Sequence, residues 1–105
     1  MTLTQTIADD VQQRVIDAVL AERRRQDELF GAQLDRTPVE WIAIITEELG
    51  EAARPALTMA GIDPRGGRST DLANAMGEFR KELLHVAALA VKTLEYVELV
   101  GPAPF

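Results

Sequence analysis

Not one cysteine occurs in the 105 residues, which excludes a disulfide frame, a thiolate zinc site and a cysteine nucleophile. That absence suits a reducing compartment, and the expected location is cytoplasmic. Histidine and tryptophan occur once each, as His85 and Trp41, and aromatics make up only 5% of the chain. The core must therefore be built from Leu, Ile, Val and Ala, which suits packing of helix on helix. No apolar run reaches the ~18 residues of a membrane span; the nearest approach, Leu83 to Val91, is interrupted by His85. Met1 to Asp10 has neither the basic start nor the apolar stretch of a secretory signal. Positive charge is also scarce. Eleven Lys and Arg against 17 Asp and Glu leave a net charge of −6, which argues against a nucleic-acid backbone or an anionic membrane as partner. A phosphorylated ligand would need metal ions or a local basic cluster to offset that repulsion.

What is present is helical periodicity, in a chain long enough for one domain over residues 1–105. From about Thr4 to Leu29, Ile7, Val11, Val15 and Ala18 recur at four- and three-residue spacing, with no Gly or Pro between them. This helix ends in the charged run Glu22 to Glu28, which reads either as a solvated end or as a guanidinium cluster able to receive phosphate. Gly31 to Arg36 is a loop. Thr37, Pro38 and Glu40 then open a second helix through a capping box with proline at the first turn. That helix is expected to run toward Ala60 and to end or kink near Arg54, where Pro55 removes a hydrogen bond. Gly61 to Arg68 reads as a connection. Ser69, Thr70 or Asp71 can cap a third helix from about Leu72 to Val100, which Gly101, Pro102 and Pro104 terminate. No segment alternates as a strand does, so the chain is all-α, a helical bundle of three main helices.

Leu83 to Val91 is apolar on nearly every side of the third helix, and a helix of that kind is buried on every side. Three helices rarely enclose one of their own number. The pattern therefore predicts completion of the bundle by homo-oligomerisation, most simply as a two-fold homodimer.

Chemistry concentrates at Glu47, Glu48 and Glu51, which share one face of the second helix and repel one another unless solvated or bridged by a cation. On the third helix Glu78, Glu82 and His85 share a face, with Lys81 beside them. Carboxylates at this density suit Mg2+ or Mn2+, and an imidazole shifts the preference toward Mn2+, Fe or Zn2+. His85 also reads as an interface histidine held by one carboxylate. Trp41 reads as core packing or as a stacking wall for a ligand base.

Glu47-Glu48-x-x-Glu51 followed by Glu82-x-x-His85 resembles the MazG-like all-α nucleoside triphosphate pyrophosphohydrolases, in particular the short single-domain members of phages and bacteria. Glu22-Arg23-Arg24-Arg25-Gln26-Asp27, then Phe30-Gly31, then Trp41-Ile42-Ala43-Ile44 and Glu82-Leu83-Leu84-His85-Val86-Ala87-Ala88 add to the likeness, which covers roughly Ala21 to Glu98. The resemblance implies a dimer or dimer of dimers that uses Mg2+ or Mn2+ to cleave nucleoside triphosphates to monophosphate and pyrophosphate. Glu48, Glu51 and Glu82 would be metal ligands, with His85 at the fourth position. Glu47 would be the catalytic base or a further ligand, Arg25, Lys81 or Lys92 would stabilise phosphate charge, and Trp41 would face the base. The chain departs from the family in one place, because the family's motif has Asp where His85 stands. Two other readings compete: a ferritin-like di-metal carboxylate protein, since Glu82-x-x-His85 is itself a Glu-x-x-His motif, and a non-catalytic helical interaction bundle.

Overall fold

A computed structural model describes residues 2–62 and 72–101. Three α-helices follow in order: α1 (Leu3–Phe30), α2 (Pro38–Met59) and α3 (Leu72–Val100). The expected caps at residues 69–71, the connection over residues 63–68 and the terminating prolines Pro102 and Pro104 lie outside the described residues.

Each helix boundary has a local cause. Thr2, which the pattern alone did not mark, caps α1: Gln5 N–H donates to its hydroxyl at 3.1 Å while the Gln5 side chain accepts from Thr2 N–H at 2.8 Å. Gly31 ends α1 at φ +71°, and its N–H donates to the Asp27 carbonyl at 2.8 Å. The capping box expected at Thr37 and Glu40 is present, with Glu40 N–H donating to the Thr37 hydroxyl at 3.2 Å. α2 does not end at Arg54 but continues through Pro55 to Met59. Residues 55–59 are half-buried behind the buried Ala52, so packing offsets the hydrogen bond that proline removes. At the far end of α3, Gly101 adopts φ +70° and donates to the Val97 carbonyl.

α3 is the shared element. Both α1 and α2 pack on it, whereas α1 and α2 make no close backbone approach to each other. The result is a slab of 47 × 46 × 22 Å. Its core is small: Trp41, Ala52, Ala75, Ala88 and Tyr96. The Trp41 and Tyr96 rings meet with centroids 6.0 Å apart and planes inclined by 52°, an edge-leaning contact favoured by aromatic quadrupoles. Small Ala88 and Ala75 on α3 let the neighbouring helices approach closely.

Much apolar surface stays outside. Ile7, Val11 and Val15, four residues apart on α1, are 57, 44 and 51% exposed. Within the run that was expected to be enclosed on all sides, Ala88 is buried, Leu83 is exposed and the other apolar residues are half-buried. No helix among the described residues is long and apolar enough to cross a membrane.

Candidate metal centre and adjoining cavity

Where α2 and α3 face each other, Glu48, Glu82 and His85 bring one donor atom each within 4.8 Å of one another. Glu82 and His85 come together because they are one turn apart on α3, and helix packing then sets Glu48 against them. His85 Nδ1 stands 3.2 Å from Glu82 Oε2 and 3.7 Å from Glu48 Oε2. Three donors about 2.1 Å from a single ion stand roughly 3–3.4 Å apart, so the set needs little movement to receive one. Two carboxylates and an imidazole form a donor set that Mn2+, Fe2+ and Zn2+ accept more readily than Mg2+ does.

The other ring nitrogen is held from α1, which the motif reading did not include. His85 Nε2 lies 3.6 Å from Glu22 Oε2 and 3.4 Å from an Arg25 guanidinium nitrogen. Arg25 in turn donates from Nε to Glu22 at 2.6 Å. All three helices thus converge on one imidazole. The signal for Glu22 lay in the α1 stripe: the spacing that gives Val15 and Ala18 reaches Glu22 and then Gln26, so a carboxylate and an amide occupy inward positions.

The remaining expected residues are placed differently. Glu47 and Glu51 are exposed and lie outside the three-donor cluster, as does Glu78. The charges of Glu47 and Glu51 still act on it. Burial pushes the Glu48 carboxyl above its usual range, His85 opposes that, and Glu82, Glu51 and Glu47 add to it by repulsion. Lys81 is exposed. Lys92 is almost fully buried and donates to the Gly31 carbonyl at 2.7 Å and to Gln33 Oε1 at 3.0 Å. It also lies 5.8 Å from the Trp41 ring centroid. Burial pulls its ammonium below the ordinary lysine range, against the attraction of Asp27. The side chain therefore fastens the α1–α2 loop to α3, where Gln33 takes φ +55°. Arg23 is likewise structural: buried, it pairs with Glu95 on α3 and Asp27 on its own helix. The charged run is neither a wholly solvated end nor a free cluster. Arg23 points into packing and Arg25 into the site.

Beside the imidazole, all three helices and the α1–α2 loop border a cavity of about 350 Å3. Its wall includes Phe30, Trp41 and Leu89 as apolar surface and Gln26, Arg36 and His85 as polar groups. Gln26 Nε2 donates to the His85 carbonyl at 3.3 Å, while Gln26 Oε1, Trp41 Nε1 and Arg36 Nε are buried without a hydrogen-bond partner. A buried polar atom left so costs about 1–3 kcal/mol. All three side chains border the cavity, but these atoms themselves are not accessible from it.

No protein-family model, no curated protein and no solved structure matches this chain. The reading of function rests on the site itself.

Proposed function

We propose that the protein binds a divalent cation at Glu48, Glu82 and His85 and belongs, in chemical terms, with the carboxylate–histidine metal proteins. The observation that carries this is the convergence of those donor atoms from two helices. Glu82-x-x-His85 with a glutamate from a facing helix is half of the ligand set used by di-metal carboxylate bundles, and a second copy of the chain would supply the other half. The ion would be held through Nδ1; Nε2 would then carry the proton, and a small shift from Arg25 toward Glu22, now 3.6 Å away, would give it the kind of orienting partner that metal-bound imidazoles have. A bound ion supplies charge to polarise an oxygen and to lower the pKa of water.

A second reading is favoured by the cavity. The MazG-like pyrophosphohydrolase resemblance calls for a nucleotide base next to a metal, and a cavity lined in part by Phe30 and Trp41 adjoins Glu48 and His85. In that reading Arg25, 51% exposed at its side chain, meets the phosphates, and Glu47 and Glu51, outside the three-donor cluster, act on it through their charge. Homodimer formation accompanies either reading, supported by the uncovered apolar stripe of α1.

Metal titration followed by thermal unfolding tests the centre. Mn2+, Fe2+ or Zn2+ at 100 times the dissociation constant should stabilise the protein by about 2.7 kcal/mol. Glu82→Gln and Glu48→Gln should abolish that gain, whereas Glu47→Gln should keep it. Equal stabilisation of all three variants would remove the assignment. Pyrophosphate release from triphosphates with Mg2+ or Mn2+ separates the hydrolase from a metal protein that does not act on nucleotides.

A further inference from the structure

We propose that residues 31–36 form a strap over the cavity beside Glu48 and His85, hinged at Gly31 and held shut by a single catch, the side chain of Lys92. The inference goes beyond the metal reading and does not depend on what the centre binds.

The strap has few other ties. Ala32, Leu34 and Asp35 are exposed, while Gln33 and Arg36 are half-buried where they line the cavity. Its internal bond, from Arg36 N–H to the Gln33 carbonyl, is long at 3.4 Å. Among the described residues, two hydrogen bonds join it to α2 or α3, and Lys92 Nζ donates both. One goes to the Gly31 carbonyl at 2.7 Å and the other to Gln33 Oε1 at 3.0 Å. Segments with so few anchoring contacts open at the low end of local stability.

Two costs oppose the shut position. Gln33 holds φ +55°, a left-handed conformation that is strained for a residue with a side chain. The ammonium of the catch is 2% exposed, and burial lowers its pKa against the attraction of Asp27. Both costs are relieved if the strap swings out and Lys92 reaches water. A charged donor on a backbone carbonyl outweighs them while the bond lasts, so the shut state depends on one side chain. The hinge is also visible. Gly31 stands at φ +71° and ψ −167°, a region open essentially to glycine. A Cβ there would meet no atom within 4 Å, so backbone conformation, and not space, calls for glycine. The Thr37 capping box anchors the other end to α2. When Lys92 lets go, Gln33 and Arg36 leave the cavity wall together, and Glu48 and His85 become reachable from the loop side.

Trp41 is the only tryptophan. It is fully buried, lies 5.8 Å from Lys92 Nζ, and its indole N–H has no hydrogen-bond partner. Exchange of that proton and quenching of its fluorescence by acrylamide therefore report when the wall opens. The full chain is studied in EDTA, with neither metal nor nucleotide. In the wild type the indole proton should exchange through a local opening, at a rate nearly independent of low urea, while amides in the middle of α3 need denaturant-sensitive unfolding. Lys92→Met keeps the length of the stem and removes the donor. It should speed indole exchange about tenfold or more and strengthen acrylamide quenching, with the α3 amides and the helical circular dichroism unchanged. Equal acceleration of the indole and the α3 amides would reduce Lys92 to a general stabiliser and overturn the proposal, as would an unchanged indole rate. Should Lys92→Met fail to fold, the wild-type urea series decides alone: an indole proton that exchanges only by global unfolding leaves no strap.

Discussion

Single side chains show how one polar residue type divides between structure and chemistry according to its phase on a helix. Arg23, Arg25 and Gln26 are near neighbours in sequence, yet Arg23 turns to Glu95 while Arg25 and Gln26 turn to His85. The partner of Arg23 that reports on pH is Asp27. Its carboxyl is held below the usual range by the Arg23 hydrogen bond, against a contrary effect of burial, with smaller help from Lys92. A carboxyl lowered on folding contributes stability above its unfolded pKa and loses it as pH falls through the folded value. Asp27 is 48% exposed at its side chain, so solvent screening limits the contribution to about 0.5–1 kcal/mol. Asp27→Asn should accordingly lower Tm by about 2–6 °C at pH 7. Wild type and variant should converge in scans taken well below pH 4; a constant difference at all pH values would mean that the aspartate acts through shape and not charge.

At the scale of helices, most boundaries could be read from caps and breakers. The Thr37–Glu40 box and Gly31 are local signals, and local signals survive folding. The span of α2 toward Ala60 was legible, but the choice between an end and continuation at Pro55 was not, because whether proline ends a helix depends on what the following turn packs against, and Ala52 and residues 55–59 find cover on the rest of the bundle. Glu48, Glu82 and His85 were legible as candidates because motif spacing placed them on facing stripes. Glu51 and Glu47 were grouped with them by the same spacing, but only the Glu48 position of α2 comes within reach of the α3 donors. Glu22 and the Gln26–Arg36 cavity stayed hidden because they depend on how α1 crosses α3. If packing sustains α2 past the proline, Pro55→Ala restores the missing hydrogen bond without changing the helix. Stability should rise by about 1–3 kcal/mol, seen as a higher urea midpoint at an unchanged m-value. A lower midpoint would show that the native geometry of that turn depends on the proline ring.

Across the whole molecule, exposed apolar surface exceeds what so thin a slab covers by itself. Ile7, Val11 and Val15 form a stripe along the part of α1 that projects beyond the packed region, and all of residues 2–17 are exposed. Side chains of this kind contribute about 1.5–3 kcal/mol each when fully covered, so a self-complementary pairing of two copies is the expected solution state. Light scattering after gel filtration should give a dimer or larger. An Ile7→Glu, Val11→Glu double variant should weaken assembly by roughly 100-fold or more while keeping the helical circular dichroism. A wild-type protein that stays monomeric at high concentration would remove assembly from this account.

α1 and α2 each pack on α3 without approaching each other closely, and the cavity lies where residues of all three helices and the α1–α2 loop face one another. A group filling it would add contacts between α1 and α2 that the protein alone lacks. Calorimetry should then record a negative heat-capacity change larger than a small ring in a rigid slot would produce, and amide hydrogens of the C-terminal half of α1 should exchange more slowly. A ligand bound there would act as a structural member of the bundle.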